Sequence, residues 1–200
     1  MSYEIIIQAL WLVLPAYVAN ASALIFGGGT PIDFGKKWKD GRRILGDGKT
    51  WRGLFIGTFV GMTAGFGFSV VAKYAVIIDF PIKINDFTGF PMMILIIASL
   101  CFGALIGDIF ESFFKRRVGK KRGDDWILFD QLDFILGVLL FSFLMGSLLH
   151  VFDLTYENWF FASFSLWHII VLLILTPFFH FFANFVNKKL KSKHLSKQNI

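Results

Sequence analysis

Asp108, Glu111, Ser112 and Lys115 fall at i, i+3, i+4 and i+7 within Gly107-Asp108-Ile109-Phe110-Glu111-Ser112-Phe113-Phe114-Lys115-Arg116-Arg117. On a helix they share one face. Further along, Asp130-Gln131-Leu132-Asp133 sets two more carboxylates about one turn apart. Both groups adjoin long apolar runs. Charge at the edge of hydrocarbon is costly, so it usually marks a functional site. Carboxylates are hard-oxygen ligands suited to Mg²⁺, and Lys or Arg beside them suits phosphate oxygens. The competing explanation is structural ion pairing between Asp108, Glu111 and the Lys/Arg run.

A second polar segment has different chemistry. It reads Gly27-Gly28-Gly29-Thr30-Pro31-Ile32-Asp33, then Asp40-Gly41-Arg42-Arg43-Ile44-Leu45-Gly46-Asp47-Gly48-Lys49-Thr50-Trp51-Arg52. Glycines let backbone N–H groups approach phosphate oxygens, and Lys or Arg supplies countercharge. Gly48-Lys49-Thr50 looks like the end of a P-loop, but Arg43 stands where that pattern needs glycine, and no strand precedes it. The simpler alternative is a basic loop with turn glycines whose charge only sets topology. Asp33, Asp40 and Asp47 among the cations weaken that alternative.

The elements that must hold these groups are membrane helices. The 200 residues are 56% apolar and 18% aromatic, too apolar for a water-soluble domain of this size. Five apolar stretches account for it: Ile5–Phe26, Leu54–Ile78, Met92–Phe114, Phe134–Val151 and Trp159–Val186. Each is long enough, or nearly so, to cross ~30 Å of hydrocarbon as a helix. The predicted fold is therefore all-α: about five transmembrane helices forming one catalytic domain over residues 1–187, with cytoplasmic active-site loops. A basic tail, 188–200, is expected to be disordered. Glycines 57, 61, 65 and 67 are expected to allow close helix packing, and Trp159 and Trp167 to lie at the membrane interface. Pro15 and Pro177 are candidate bends. His150, His168 and His180 have no ligand partner at helical spacing, and Cys101 reads as a buried small residue.

Seven Lys and Arg lie between Gly27 and Arg52, six in Lys115–Arg122 and five after Asn187, out of 20. Five spans put these 18 on one side, which the positive-inside rule makes cytoplasmic. The two Asp-bearing helix ends then lie at the same depth, near the cytoplasmic surface. A net charge of +6 suits an anionic membrane surface or a polyanionic substrate. Nucleic acid is not expected, because the basic residues alternate with spans.

Ser112-x-x-Lys115-Arg116, with Gly107-Asp108 before it and Asp130-x-x-Asp133 after it, resembles the signature of CDP-diacylglycerol synthases. This chain has Gln131 where they carry Arg, Arg122 in place of an Asp, and no His-Gly-Gly element. The Gly27–Asp33 and Asp40–Gly53 segments are similar to the archaeal branch, the CDP-archaeol synthases, over about residues 10 to 185. The resemblance implies Mg²⁺-dependent transfer of a cytidylyl group in an archaeal cell membrane. CTP would join 2,3-bis-O-geranylgeranyl-glycerol 1-phosphate, an isoprenoid glycerol phosphate lipid, giving the CDP-activated ether lipid and pyrophosphate. Asp108, Asp130 and Asp133 are the expected metal ligands. Lys115 and Arg116 would bind phosphate with Ser112 nearby. Lys49, Arg43 and the Gly46–Gly48 turn would close over the nucleotide or hold the lipid phosphate.

The residues leave two rival readings. A CDP-alcohol phosphotransferase would need the pattern begun at Asp40-Gly41 to continue, and Arg43-Ile44 does not continue it. A small cation transporter would use Asp108 and Asp133 as an ion site, but transporters usually bind near the midplane and often show repeated halves, which this chain lacks. The topology makes a prediction of its own. Cysteines introduced at positions 85 and 155 label from outside the cell; labelling from the cytoplasmic side alone overturns the assignment.

Overall fold

A computed structural model describes residues 3–120 and 129–178, with side chains from Leu132 onward in the second segment. The structure is all-helical: α1 (Tyr3–Phe26), α2 (Trp51–Ile77), α3 (Met92–Arg117), α4 (Phe129–Val151), α5 (Trp159–Ser163) and α6 (Leu166–Phe178). The first four are long and apolar enough to cross a membrane. A helix of 24 residues such as α1 spans ~36 Å at 1.5 Å per residue. Each is apolar around its circumference, because one side meets lipid and the other meets protein.

Small residues decide how the helices meet. Without a hydrophobic drive between helices in lipid, close backbone approach supplies the attraction. Gly57 and Gly61 of α2 lie against Ala19, Ala23 and the Pro15 carbonyl of α1, and Gly61 also meets Cys101 Sγ of α3. Gly65 meets Ile97 of α3. Gly67, expected to do the same, faces open space. The tightest contact is α3 on α4. Gly103 and Gly107 of α3 face Gly137 and the Asp133 carbonyl of α4, so closely that a Cβ at any of these glycines would strike the opposing backbone.

The expected fifth span is divided. Asn158 caps α5 by accepting from Phe160 N–H at 3.0 Å, and the chain leaves the helical region at Phe164. It restarts at α6, where His168 Nδ1 accepts from Ser165 N–H at 3.1 Å. The short α5 thus folds over the end of the bundle away from the acidic residues, and Trp159 is buried there against Phe87 and Phe164. It is not the interface aromatic its position suggested; Trp167 is exposed. Pro15 and Pro177 lie inside continuous helices, and Cys101 is buried as expected. His180, Arg122, the 188–200 tail and the end of the predicted fifth run lie outside the described residues.

Trp11 Nε1 and Gln8 Nε2 of α1 donate to the carbonyls of Asn85 and Lys83, both at 2.8 Å, which ties the 79–90 connection to the start of α1. Asn85 is held there, so exposed Lys83 and Tyr156 are better labelling positions in the same two connections. The packing makes its own prediction. Gly137→Ala lowers the stability of the detergent-solubilised protein by about 1–3 kcal/mol through overpacking. Gly67→Ala is neutral or slightly stabilising, because alanine has the higher helix propensity. Equal unfolding temperatures for the two variants would sink this account.

Candidate active site

The α3–α4 contact brings the acidic residues together. Asp108 and Glu111 lie on α3 and Asp133 on the first turns of α4, and one carboxylate oxygen from each falls within 4.8 Å of the others. Three such oxygens form a ligand set for a hard divalent cation. Glu111 was placed on this face by its spacing but was not counted among the expected ligands. Asp130 lies about one turn before Asp133, and its side chain is outside the described residues.

Two ammonium groups border the carboxylates. Lys49 Nζ lies 2.5 Å from Asp108 Oδ2, and Lys115 Nζ lies 3.7 Å from Glu111 Oε1. Glu111, Ser112 and Lys115 are all buried, unusual for charged groups unless they are paired. Ser112 Oγ lies 3.5 Å from Glu111 Oε2. The structure therefore joins Lys49 of the first polar segment to the α3 cluster, a long-range contact that spacing alone does not reveal.

That segment is a compact folded loop. Ile32 N–H donates to the Lys49 carbonyl at 2.9 Å and Trp51 N–H to the Thr30 carbonyl at 3.2 Å, so its two ends pair antiparallel. Thr50 caps α2, its hydroxyl accepting from Gly53 N–H at 3.1 Å. Between them, Ile44 N–H and Trp38 N–H bond the carbonyls of Lys36 and Arg42, forming a small hairpin. Asp33 is buried beneath it. Its Oδ1 accepts from Arg43 Nη2 and Gly35 N–H, and its Oδ2 from Arg43 Nε, Leu45 N–H and Gly46 N–H. The sequence motif that contains Asp33 assigns it no role. No periodicity connects it to Arg43, so the sequence carried little signal for the pair.

Arginines latch the loop onto the end of α3. Arg116 Nε donates to the Leu45 carbonyl at 3.1 Å, and Arg117 donates to the Arg43 carbonyl and pairs with Asp40 at 2.6 Å. Its guanidinium also lies over the Phe113 and Trp38 rings. In the other direction, Arg42 Nη1 donates to the Arg117 carbonyl at 2.6 Å, which places a cation at the negative end of the helix dipole. Gly46, at φ 105°, sits against the Arg116 guanidinium; a Cβ there would lie 3.3 Å from two of its nitrogens. Of the residues expected to touch phosphate, Lys49, Lys115 and Ser112 border the acidic cluster. Arg43, Arg116 and Gly46 are bonded into the loop and its latch, and Arg43 also pairs with Asp47 at 2.8 Å.

Two cavities flank the cluster. One, of about 540 Å³, opens between the ends of α1, α2 and α3 and is lined by Tyr17, Asn20, Leu24, Gly48, Lys49 and Asp108. The other, of about 750 Å³, runs between α3 and α4. Glu111, Asp133 and Arg117 stand toward its upper end, and Ile106, Leu136, Leu140 and Phe141 line it deeper along the helices. The acidic groups thus lie where two cavities approach from opposite sides of α3.

Four helices long and apolar enough to cross a membrane carry a carboxylate–ammonium cluster at one end, the mark of a membrane protein with a polar site at the edge of its spans. Residues 2–196 match the family model described as CarS-like, CDP-archaeol synthase. The CDP-archaeol synthase of Methanococcoides burtonii is 45% identical over 176 residues, covering 87% of this chain and 94% of the relative. That of Methanocaldococcus jannaschii is 40% identical over 195 residues, covering 96% and 98%. A solved structure of an intramembrane enzyme of archaeal membrane lipid biosynthesis aligns with a TM-score of 0.67 at 32% identity, covering 90% of this chain and 94% of that one. The chain belongs to the CDP-archaeol synthase family, and its reaction class is cytidylyl transfer.

The loop has a predictable response to pH. Burial alone would raise the Asp33 carboxyl, but the Arg43 guanidinium and the N–H groups of Leu45, Gly46 and Gly35 outweigh burial and hold it well below the usual carboxylate range. A carboxyl depressed on folding contributes fully above its unfolded value of ~4 and loses that contribution as pH falls toward the folded value. The amides of Leu45 and Gly46 therefore keep their hydrogen-exchange protection from pH 7 to 5, after correction for intrinsic rates. Protection disappearing between pH 7 and 5 would contradict the buried pair.

Proposed function

We propose that the chain joins CTP to 2,3-bis-O-geranylgeranyl-glycerol 1-phosphate, releasing pyrophosphate and forming the CDP-activated ether lipid. The observation that carries this reading is the Asp108–Glu111–Asp133 cluster, bordered by Lys49 and Lys115 and reached by two cavities. A phosphate oxygen of the lipid attacks the α-phosphorus of CTP. The new P–O bond forms as the bond to the β-phosphate breaks, and pyrophosphate carries away the electron pair. The nucleophile is already anionic, so neither a covalent intermediate nor a strong general base is required. Position and charge neutralisation dominate such displacements.

The donor set fits Mg²⁺: oxygen ligands only, from two helices, with room for phosphate oxygens beside them. Asp108, Asp133 and Glu111 would hold it, with Asp130 as a further candidate from the next turn of α4. When bound, the ion would neutralise the charge building on the transferring phosphate. Lys49 and Lys115 orient the phosphates by direct contact, and Ser112 donates a hydrogen bond nearby. Arg43, Arg116 and the Gly46–Gly48 turn fix the loop that carries Lys49. The mainly apolar α3–α4 cavity suits the isoprenoid chains, entering sideways from the bilayer with the lipid phosphate toward Glu111 and Asp133. The nucleotide enters from water on the Lys49 side. The basic ends of the helices face the cytoplasm, and the N-terminus faces out.

Pyrophosphate release from CTP tests the reading. The protein in detergent, given the phosphorylated lipid and Mg²⁺, releases pyrophosphate; the dephosphorylated lipid gives none. Asp133→Asn and Asp108→Asn lose at least a hundredfold in kcat while remaining folded, because a neutral amide is a poor Mg²⁺ ligand. Near-full activity in both variants would remove the carboxylate site, and turnover of the dephosphorylated lipid would mean that a different bond is made.

A further inference from the structure

Asp33 lies outside the acidic cluster and is the best-satisfied carboxylate of the cytoplasmic loop. Its side chain is fully buried. Two Arg43 nitrogens and three backbone N–H groups donate to its two oxygens at 2.9 to 3.2 Å. With five donors on two oxygens, it has little capacity left for a metal ion or a proton. Any role it plays in turnover must pass through geometry.

That geometry leads to Lys49. Asp33 Oδ2 holds the N–H groups of Leu45 and Gly46. The Gly46 carbonyl accepts from Lys49 N–H at 3.4 Å, and the Lys49 carbonyl accepts from Ile32, the residue before Asp33, at 2.9 Å. The Lys49 backbone is therefore held on one side by a residue that Asp33 bonds and on the other by its chain neighbour. The Leu45 carbonyl is bonded in turn by Arg116 of α3, and α3 also carries Asp108, the partner of the Lys49 side chain. The result is a closed ring of contacts: Asp33 to Gly46, Gly46 to Lys49, Lys49 to Asp108, along α3 to Arg116, and back through Leu45 to Asp33.

We propose that Asp33, clamped by Arg43, is a positioning residue that sets Lys49 against Asp108 for cytidylyl transfer. The inference rests on the reading of Lys49 as a phosphate-contacting group. It predicts that Asp33 matters to turnover only while Lys49 is present. Asp33→Asn is nearly isosteric, but it turns one acceptor into an NH₂ donor facing other donors. That opens the Leu45–Gly46 turn and displaces the Lys49 ammonium.

The test is a double-mutant cycle on the full chain in detergent, reading kcat and KM for pyrophosphate release together with the unfolding temperature of each variant. Asp33→Asn and Lys49→Ala each lose at least tenfold, mainly in kcat. The double variant is within about threefold of Lys49→Ala, because groups acting as one unit are not additive. A merely structural Asp33 would lower the folded fraction, and its loss would multiply with that of Lys49. Multiplying losses, a hundredfold or more in the double variant, therefore overturn the inference, as does an Asp33→Asn enzyme with normal kcat. Normal kcat in Lys49→Ala overturns the underlying Lys49 reading as well, which separates the two failures. Should Asp33→Asn not fold, Arg43→Lys takes its place in the cycle. It keeps the charge but loses the planar fork that grips both Asp33 oxygens, and the same outcomes decide.

Discussion

The close approach of α3 and α4 is the constraint on which the site depends. Gly103, Gly107 and Gly137 let the two backbones touch, and the Asp133 carbonyl rests on Gly107 itself. One residue beyond Gly107 is Asp108, and one turn beyond that is Glu111. A larger residue at any of these glycines would separate the helices and move the carboxylates apart. In lipid, that approach rests on van der Waals contact between small residues. The same contacts that hold the bundle together therefore set the spacing of the acidic oxygens.

The second constraint is the latch between the loop joining α1 to α2 and the end of α3. Arg42, Arg116 and Arg117 exchange side chain-to-carbonyl bonds between loop and helix in both directions. Arg42 satisfies terminal carbonyls of α3 and complements its dipole, while Arg116 and Arg117 satisfy carbonyls of the loop. They also make the loop an extension of α3 rather than a tether between α1 and α2. The residues whose charge suggested phosphate binding thus divide in two. Lys49 and Lys115 face the acidic cluster. Arg43 and Arg116 hold the loop's shape, with nitrogens committed to Asp33, Asp47 and backbone carbonyls. Arginine suits that second task because its planar fork can satisfy several acceptors in one fixed geometry.

What the sequence made legible follows from the range of each interaction. Apolar length fixed the first four spans, since crossing hydrocarbon needs a run of known size. Helical periodicity put Asp108, Glu111 and Lys115 on one face, because i, i+3 and i+4 neighbours are local. The break between α5 and α6 is not legible because it falls at Phe164 and Ser165 and is capped by His168, all within an apolar stretch that reads as continuous. Burial of Trp159 is not legible for a related reason, since the fold-over of α5 decides it. The Asp33–Arg43 pair and the Lys49–Asp108 contact join residues 10 and 59 positions apart. Only the folded loop brings these together, so composition could suggest their chemistry but not their partners.

The electrostatics of the cluster explain why its parts belong together. Carboxylate charges ~4–5 Å apart repel by about 3–4 kcal/mol per pair at an effective dielectric of ~20. Among the described residues, Asp108, Glu111 and Asp133 face Lys49 and Lys115. Two ammonium groups offset part of the repulsion, and a divalent cation would offset more. Each ammonium also stands beside a carboxylate that a bound cation would engage. With Asp108 and Glu111 engaged by a cation, the attraction holding Lys49 and Lys115 to them would weaken, and the lysines would become available to phosphate oxygens. With the proposed metal and phosphate roles, the cluster would hold its phosphate-binding lysines on its metal ligands, and metal and polyphosphate would bind cooperatively because each relieves the charge left by the other.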